Sequence, residues 1–508
     1  MNILKSVGSF GGLTIISRIL GYIRDILIAI FIGTSYLADA FFVAFRLPNT
    51  FRRLFAEGSF NSAFIPMYTK FKNKKQSYLF ANSIFNFLLI ILLGLVFLCE
   101  IFMGGVMFII SPGFVEDPNK FEVAKTLSRI TFPFLLFVSL SSFLSAILNS
   151  NNKFAASAAA PIILNIFFII SIFISSTYDK SFVQNMSLAV FFAGIVQFLI
   201  LVFCTRKYFL PKLGFNFIYL KNIKDFFKRI LPSIFSSGIM QINILVGTII
   251  ASFQSSAVSY LYYADRVYQL PLALTGIAVG TVILPVLSKS LKSKSDKIVK
   301  FLQNRSVELS LFLSAPAAAG LIIGSEQIIS CLFGYGSFDN ESIKQTSRAL
   351  KVFGYGLPAF SLLKLYSNFY FARGNTKFPF HVSIITVILN IFISILFFNK
   401  IGFISIAFGT TISCWISILI YKFFLKKDNF YEFDKIFIER LSKIFVCTLI
   451  MASILYFQFF YFSYYFETAG IYKLFYLIFI ISSSIVVYFA LSLLFRSFSI
   501  RDFRIKSI

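Results

Sequence analysis

The hydrophobic and polar positions of this chain fall into long apolar runs separated by short polar connections. Fourteen runs reach about twenty residues or more, near 8–33, 39–66, 79–110, 126–149, 155–176, 186–206, 231–252, 260–287, 306–333, 349–372, 378–398, 402–425, 444–463 and 471–495. That is the length a helix needs to cross the hydrocarbon core of a bilayer. Several runs contain Pro or Gly, which membrane helices tolerate when neighbours satisfy the freed backbone groups. The pattern predicts an all-α polytopic membrane protein with about 14 transmembrane helices. Residues 215–230 are different. Lys221, Lys224, Asp225 and Lys228 share one helical face there, and Ile223, Phe226, Phe227 and Ile230 share the other. This predicts an amphipathic helix lying on the cytoplasmic surface between spans 6 and 7.

The two halves repeat each other. Phe45-Arg46-Leu47-Pro48 corresponds to Tyr268-Gln269-Leu270-Pro271, Asn151-Asn152-Lys153-Phe154 to Asn375-Thr376-Lys377-Phe378, and Ile163-Leu164-Asn165-Ile166-Phe167 to Ile388-Leu389-Asn390-Ile391-Phe392, at an offset of 223–225 residues. Apolar residues align by chance, but a steady offset through Pro, Lys and Asn does not arise that way. The chain reads as two parallel six-helix repeats plus two extra C-terminal helices. Transporters built from parallel repeats place the substrate site between the halves, near mid-membrane. The expected division is an N-terminal lobe over 1–210, the interfacial helix over 211–230, a C-terminal lobe over 231–427, and the extra pair with a basic tail over 428–508.

Composition narrows the class. Of 508 residues, 58% are hydrophobic and 70 are Phe, which a soluble chain of this length does not carry. The formal charge of +26 would suit nucleic acid. The basic residues, however, lie between apolar runs and not in a soluble domain, so nucleic acid is excluded as a partner. They set topology and meet anionic headgroups. Loops 2–3, 6–7, 8–9 and 12–13 and the tail are basic, whereas loops 1–2 and 7–8 carry no base and loop 3–4 has Glu116 and Asp117. The positive-inside rule then puts both termini in the cytoplasm. The first run is too long for a cleavable signal, contains arginines and lacks a small-residue cleavage site.

Charges inside the apolar runs carry the chemistry. Ser17 to Pro66 holds Arg18, Arg24, Asp25, Asp39, Arg46, Arg52, Arg53 and Glu57. A charge at the centre of a membrane helix costs roughly 2.5–3.5 kcal/mol on insertion scales, unless it faces a wet cavity, pairs with an acid or sits near an interface. Asp25 lies seven residues from Arg18 on one face, and span 8 adds Asp265 and Arg266. Guanidinium groups bind phosphate through forked hydrogen bonds and stay charged when partly desolvated. These residues point to a cationic cavity for an anionic substrate such as a pyrophosphate. The alternative is that Arg52, Arg53 and Glu57 are loop-end residues and that Asp265 and Arg266 pair near the outer interface. Asn165 and Asn390, at matching repeat positions, suit interhelical hydrogen bonding better than ligation. The five cysteines lie far apart and His381 is the only histidine, so no metal site is expected. No phosphate-binding loop, HExxH or Ser–His–Asp set appears; no cofactor and no enzymatic reaction are expected.

SRILGYIRD (17–25), ADAFFVAFRLPNTFRRLFAEGSFNSAFIP (38–66), YYADRVYQLPLALTGIAVGTVILPVLS (262–288) and FYFARGNTKFP (369–379) resemble the MurJ (MviN) lipid II flippase family, of the multidrug, oligosaccharidyl-lipid and polysaccharide exporter superfamily. The resemblance covers essentially the whole chain. It implies a multi-pass protein of the bacterial inner membrane that moves lipid II, the undecaprenyl-pyrophosphate-linked peptidoglycan precursor, from the cytoplasmic to the periplasmic leaflet by alternating access. The extra pair would form a groove for the lipid tail. Arg18, Arg24, Arg52 and Arg266 would bind the pyrophosphate, Asp39 would pair with or gate them, and Asp25 and Glu57 would support them. Lipid II, membrane lipids and the cell-wall synthesis machinery are the implied partners; another polyprenyl-linked glycan is the alternative substrate. Some relatives place sodium among spans 7, 11 and 12 with carboxylates. Here those spans have no Asp or Glu and offer neutral oxygen ligands such as Gln241, Asn243, Thr386, Asn390, Thr410 and Thr411, so the energy source stays open.

Overall fold

A computed structural model describes residues 3–55, 59–71, 73–175, 180–214, 220–293, 296–467, 470 and 472–497. Among these residues every regular element is helical: α1 (Ile3–Ile32), α2 (Tyr36–Phe55), α3 (Ser59–Thr69), α4 (Lys74–Ile101), α5 (Met103–Ile110), α6 (Pro118–Thr131), α7 (Phe134–Ser150), α8 (Ala155–Ile174), α9 (Lys180–Thr205), α10 (Leu220–Ala251), α11 (Ala257–Leu272), α12 (Val279–Lys292), α13 (Asp296–Ile323), α14 (Ser325–Phe333), α15 (Asn340–Phe371), α16 (Lys377–Ile401), α17 (Ile404–Lys427), α18 (Lys435–Tyr461), α19 (Ser463–Glu467) and α20 (Tyr472–Leu494). The all-α polytopic reading holds. Ten membrane spans qualify on length and apolar composition among the described residues. The expected number was about fourteen. Outside the ten lie the long helices α1, α2, α10 and α15, and α1, α2 and α15 carry charged side chains along their length. Large apolar side chains such as Phe97, Phe173, Phe392, Phe423 and Leu493 remain exposed, as lipid-facing residues do.

Two compact units make up the chain: Met1–Ser259 with Gly336–Phe338, and Tyr260–Tyr335 with Asp339–Ile508. In unit 1, α8 packs on α1 and α9, α7 on α9, and α2 on α6 and α10. Phenylalanine fills this core. The Phe143 ring meets Phe60, Phe64, Phe85 and Phe209, and such ring pairs add to plain burial. Gly33 ends α1 with φ +56°, and a Cβ there would lie 2.2 Å from the Ser337 carbonyl oxygen. Ser337 N–H in turn donates to the Ile30 carbonyl at 2.8 Å, so the absence of a side chain at Gly33 is what allows this close approach.

The amphipathic segment departs from expectation. Its first residues, 215–219, lie outside the described residues; from Leu220 onward it is continuous with span 7 in one helix of 32 residues. Among its described side chains, Lys224, Asp225 and Lys228 are exposed and Phe226 and Ile230 are buried, as read. Phe226 packs on Phe60 and Phe227 on Phe87, at ring distances of 5.4 and 5.1 Å. Those contacts tie α10 to unit 1, which ends at Ser259.

In unit 2, α15 packs on α13 and α17, α16 on α17, and α18 on α13 and α20. One core gathers Leu365, Tyr366, Phe369, Tyr370, Tyr421 and Tyr431; another joins Cys331 to Leu455, Phe459 and Ile480. The extra pair thus belongs to unit 2. A knot of charge fixes it. Glu308 on α13 is 0% exposed and accepts from Arg305 and, at 3.0 Å, from Arg440 on α18. Arg305 also lies 3.5 Å from Asp434. Nearby, exposed Glu432 accepts from Lys300 Nζ at 2.6 Å; that hydrogen bond and the lysine charge hold its carboxyl below the usual range.

Span 8 is interrupted. Between α11 and α12 the backbone takes one π-helical turn over Ala273–Ala278. Such turns insert a residue into an α-helix and recur at functional sites. Thr275 Oγ1 lies 2.7 Å from Ser361 Oγ, and Ser310 Oγ donates to the Thr275 carbonyl at 3.0 Å. Asn368 Nδ2 donates to the Gly280 carbonyl at 2.7 Å. A Cβ on Gly276 would lie 2.9 Å from Ser361 Cα, so glycine is what lets the turn sit against α15.

Candidate functional site

Arg24, in the C-terminal third of α1, is only 6% exposed. Its Nε and Nη2 donate to Asp25 Oδ1 at 3.0 and 2.8 Å, and its Nη1 donates to Asn165 Oδ1 at 3.0 Å. Neighbouring residues on a helix point about 100° apart, so the long arginine must turn back to reach Asp25. Asn165, from α8, holds it there and donates its own Nδ2 to the Ser17 carbonyl at 2.9 Å. The rings of Phe168 and Phe45 lie 5.2 and 5.9 Å from the guanidinium carbon, within cation–π range. Three kinds of partner therefore support one buried cation. Asn165 is interhelical glue, and the group it binds is an ion pair.

Arg18, one and a half turns earlier on α1, is exposed. Asp39, at the start of α2, is wholly buried. The resemblance assigns it to pair with or gate the arginines; its carboxylate instead accepts from Lys120 Nζ at 2.6 Å and from Ser259. Arg46 Nη1 donates to Thr248 Oγ1 on α10 at 2.6 Å. Half-buried Arg52 donates from Nε to Asn49 Oδ1 at 3.4 Å. Pro48 lies inside α2, which continues through it. Glu57 and the Arg53 side chain lie outside the described residues.

In unit 2, Arg266 is half-buried on α11. Its guanidinium lies over the Tyr262 ring at 4.8 Å, and its Nη2 donates to the Tyr262 hydroxyl at 3.1 Å. Asp265 accepts from Gln269 one turn on. Lys364 is exposed. Of the possible sodium ligands, Asn390 Oδ1 accepts from Ser394 and Thr410 at 3.2 and 3.4 Å, while Thr386 meets Ser417. Among the described residues no three His, Cys, Asp or Glu side chains gather as a metal site would need.

The structure thus brings Arg24 and Asp25 together and gives Asp39 a lysine. Sequence reasoning missed Lys120, Thr248, Tyr262 and Glu308 as partners. The one available signal was Lys120, a base three residues after Asp117 in the connection that also carries Glu116.

Comparison with known proteins gives this arrangement a context. The family of lipid II flippase MurJ matches residues 28–495. A probable lipid II flippase MurJ of Rhizobium meliloti (strain 1021) is 38% identical over 465 residues, covering 90% of this chain and 86% of the relative. One of Rickettsia prowazekii (strain Madrid E) is 36% identical over 457 residues, covering 89% and 88%. Among solved structures, a lipid II flippase MurJ in an inward closed conformation superposes with a TM-score of 0.83 at 30% identity, covering 96% of this chain and 98% of that one. An inward-facing multidrug resistance transporter of the MATE family and MOP superfamily superposes at 0.66 with 14% identity, covering 81% and 94%; at that identity it shares the fold alone. A match that runs through both units, and through the charged stretches of α2 and α11, leaves one assignment: this chain belongs to the lipid II flippase MurJ family.

Proposed function

We propose that this chain translocates lipid II from the cytoplasmic to the periplasmic leaflet of a bacterial inner membrane by alternating access, as a transporter and not an enzyme, with both termini in the cytoplasm. The observation that carries the proposal is the family match across residues 28–495, which runs from the end of α1 through α20. The names of the curated relatives supply the substrate. Arg18, Arg24, Arg52 and Arg266 take part in holding the pyrophosphate, with Asp25 and Glu57 in support. Arg24 enters this binding already balanced by Asp25, so it engages phosphate by exchanging that partner or Asn165. Lipid II and membrane lipids are the partners, with the cell-wall synthesis machinery as a further one.

Complementation tests the proposal in bacteria depleted of their own lipid II flippase, scoring lipid II exposed on the outer leaflet. The wild-type chain runs beside Arg18→Ala, Arg24→Ala, Arg52→Ala and Arg266→Ala at matched expression. Wild type restores exposure and the variants fail. If every variant rescues, the arginine site is wrong and the flippase stands. A well-expressed wild type that exposes no lipid II moves the substrate to another polyprenyl-linked glycan.

A further inference from the structure

Both carboxylate oxygens of Asp39 are occupied. Oδ2 accepts from Lys120 Nζ at 2.6 Å, and Oδ1 accepts from the Ser259 backbone N–H at 2.9 Å and its Oγ at 2.6 Å. Asp39 is 0% and Lys120 5% exposed. The ammonium also lies 4.1 Å from the centre of the Phe114 ring. Such enclosure leaves Asp39 no oxygen to offer a substrate, and a pyrophosphate is an anion that a carboxylate repels. Burial also makes an aspartate without its cation costly. Ser259 stands in the first turn of α11, two helical turns before Arg266.

We propose that Lys120 is a positioning residue for translocation. Its ammonium pairs with Asp39 and holds that carboxylate against Ser259, so that Asp39 fixes the first turn of α11, and neither side chain touches lipid II. The inference rests on the flippase reading. It departs from the role the resemblance assigns to Asp39, because the partner of Asp39 is a lysine and not a cavity arginine.

Neutralising one member or both distinguishes a pair from a ligand. Removing one partner of a buried pair is strongly destabilising, whereas replacing the whole pair by neutral groups is often tolerated. The test uses the full-length chain in flippase-depleted cells, with outer-leaflet lipid II scored per unit of membrane-embedded protein. Lys120→Met and Asp39→Asn are each expected to lower exposure by about tenfold or more. Lys120→Arg, which keeps the charge, and the double variant Lys120→Met/Asp39→Asn are expected to return to within about threefold of wild type.

The proposal is overturned if the double variant accumulates normally and stays as inactive as Asp39→Asn, because Asp39 then has work beyond the pair. Full activity of Lys120→Met overturns it equally. Should a single variant fail to accumulate, the double decides. Recovery of both protein and exposure supports the pair, and a double that stays absent or inactive refutes it. Failure of the wild type itself would fall on the flippase reading instead.

Discussion

Glu308→Gln is the sharpest probe of how the extra helices are attached. In the wild type one buried carboxylate serves Arg305 on its own helix and Arg440 on α18. The amide keeps the shape and removes the charge, leaving two guanidinium groups with Asp434 as the remaining acid, 3.5 Å from Arg305 and with 38% of its side chain exposed. Taking one partner from a buried ion pair costs about 3–5 kcal/mol. Asp434, together with the 17% side-chain exposure of Arg440, argues for the low end, about 3 kcal/mol. That is roughly a hundredfold change in an equilibrium constant. The assay is unfolding of the purified protein in mixed micelles by titration with dodecyl sulfate, followed by circular dichroism. The triple variant Arg305→Met/Glu308→Leu/Arg440→Met removes every charge at once and should stand within about 1 kcal/mol of wild type or above it. An amide variant that unfolds at the wild-type midpoint would refute the account, because the knot would then contribute nothing.

Other predictions concern single contacts. Asn165→Leu leaves Arg24 Nη1 and the Ser17 carbonyl without their partners and should lower stability by about 1–3 kcal/mol, read in the same titration; an unchanged midpoint would show that water replaces it. Tyr262→Phe keeps the ring under Arg266 and loses the hydroxyl, whereas Tyr262→Ala loses both. Lipid II exposure should therefore fall more for Ala than for Phe, and the reverse order would deny the ring a role. Gly33→Ala meets both a positive φ and the Ser337 carbonyl. The backbone conformation alone costs about 1–2 kcal/mol, so low abundance in membranes is the expected outcome. Glu432 titrates below its ordinary 4.5. The difference in stability between wild type and Glu432→Gln should therefore be present above pH 4.5 and vanish as pH falls through the lowered value. A difference that widens on acidification would contradict the Lys300 link.

The helical membrane class was legible because it rests on run length, which no packing detail can undo. The faces of the 220–230 segment were legible for the same reason, since a 3.6-residue period needs only the order of residues. Its continuity with span 7 was not, because Phe226 and Phe227 find Phe60 and Phe87 only once the chain is folded. The charged residues of α1 and α2 stood out against their apolar surroundings. Their partners did not. Arg24 takes its immediate neighbour and an asparagine 141 residues away, and Asp39 takes a lysine 81 residues on. Spacing on one helix says nothing about such pairs. Glu308 was hidden differently: it lies close to a basic connection, and burial alone separates it from an ordinary solvated acid.

The π-helical turn at Ala273–Ala278 bears on how this span is compared with its relatives and altered by mutation. One added residue advances a helix by about 100° and 1.5 Å. A helical wheel drawn straight through span 8 therefore misplaces Arg266 relative to everything after residue 278. An alignment against a relative with a regular helix there should open a gap of a single position in this turn. Losing one codon within it would let the helix close into ordinary α-geometry with little loss of backbone bonding, while swinging Arg266 to another side. For most spans a one-residue deletion is chiefly a lesion in folding; here it is a change of aim.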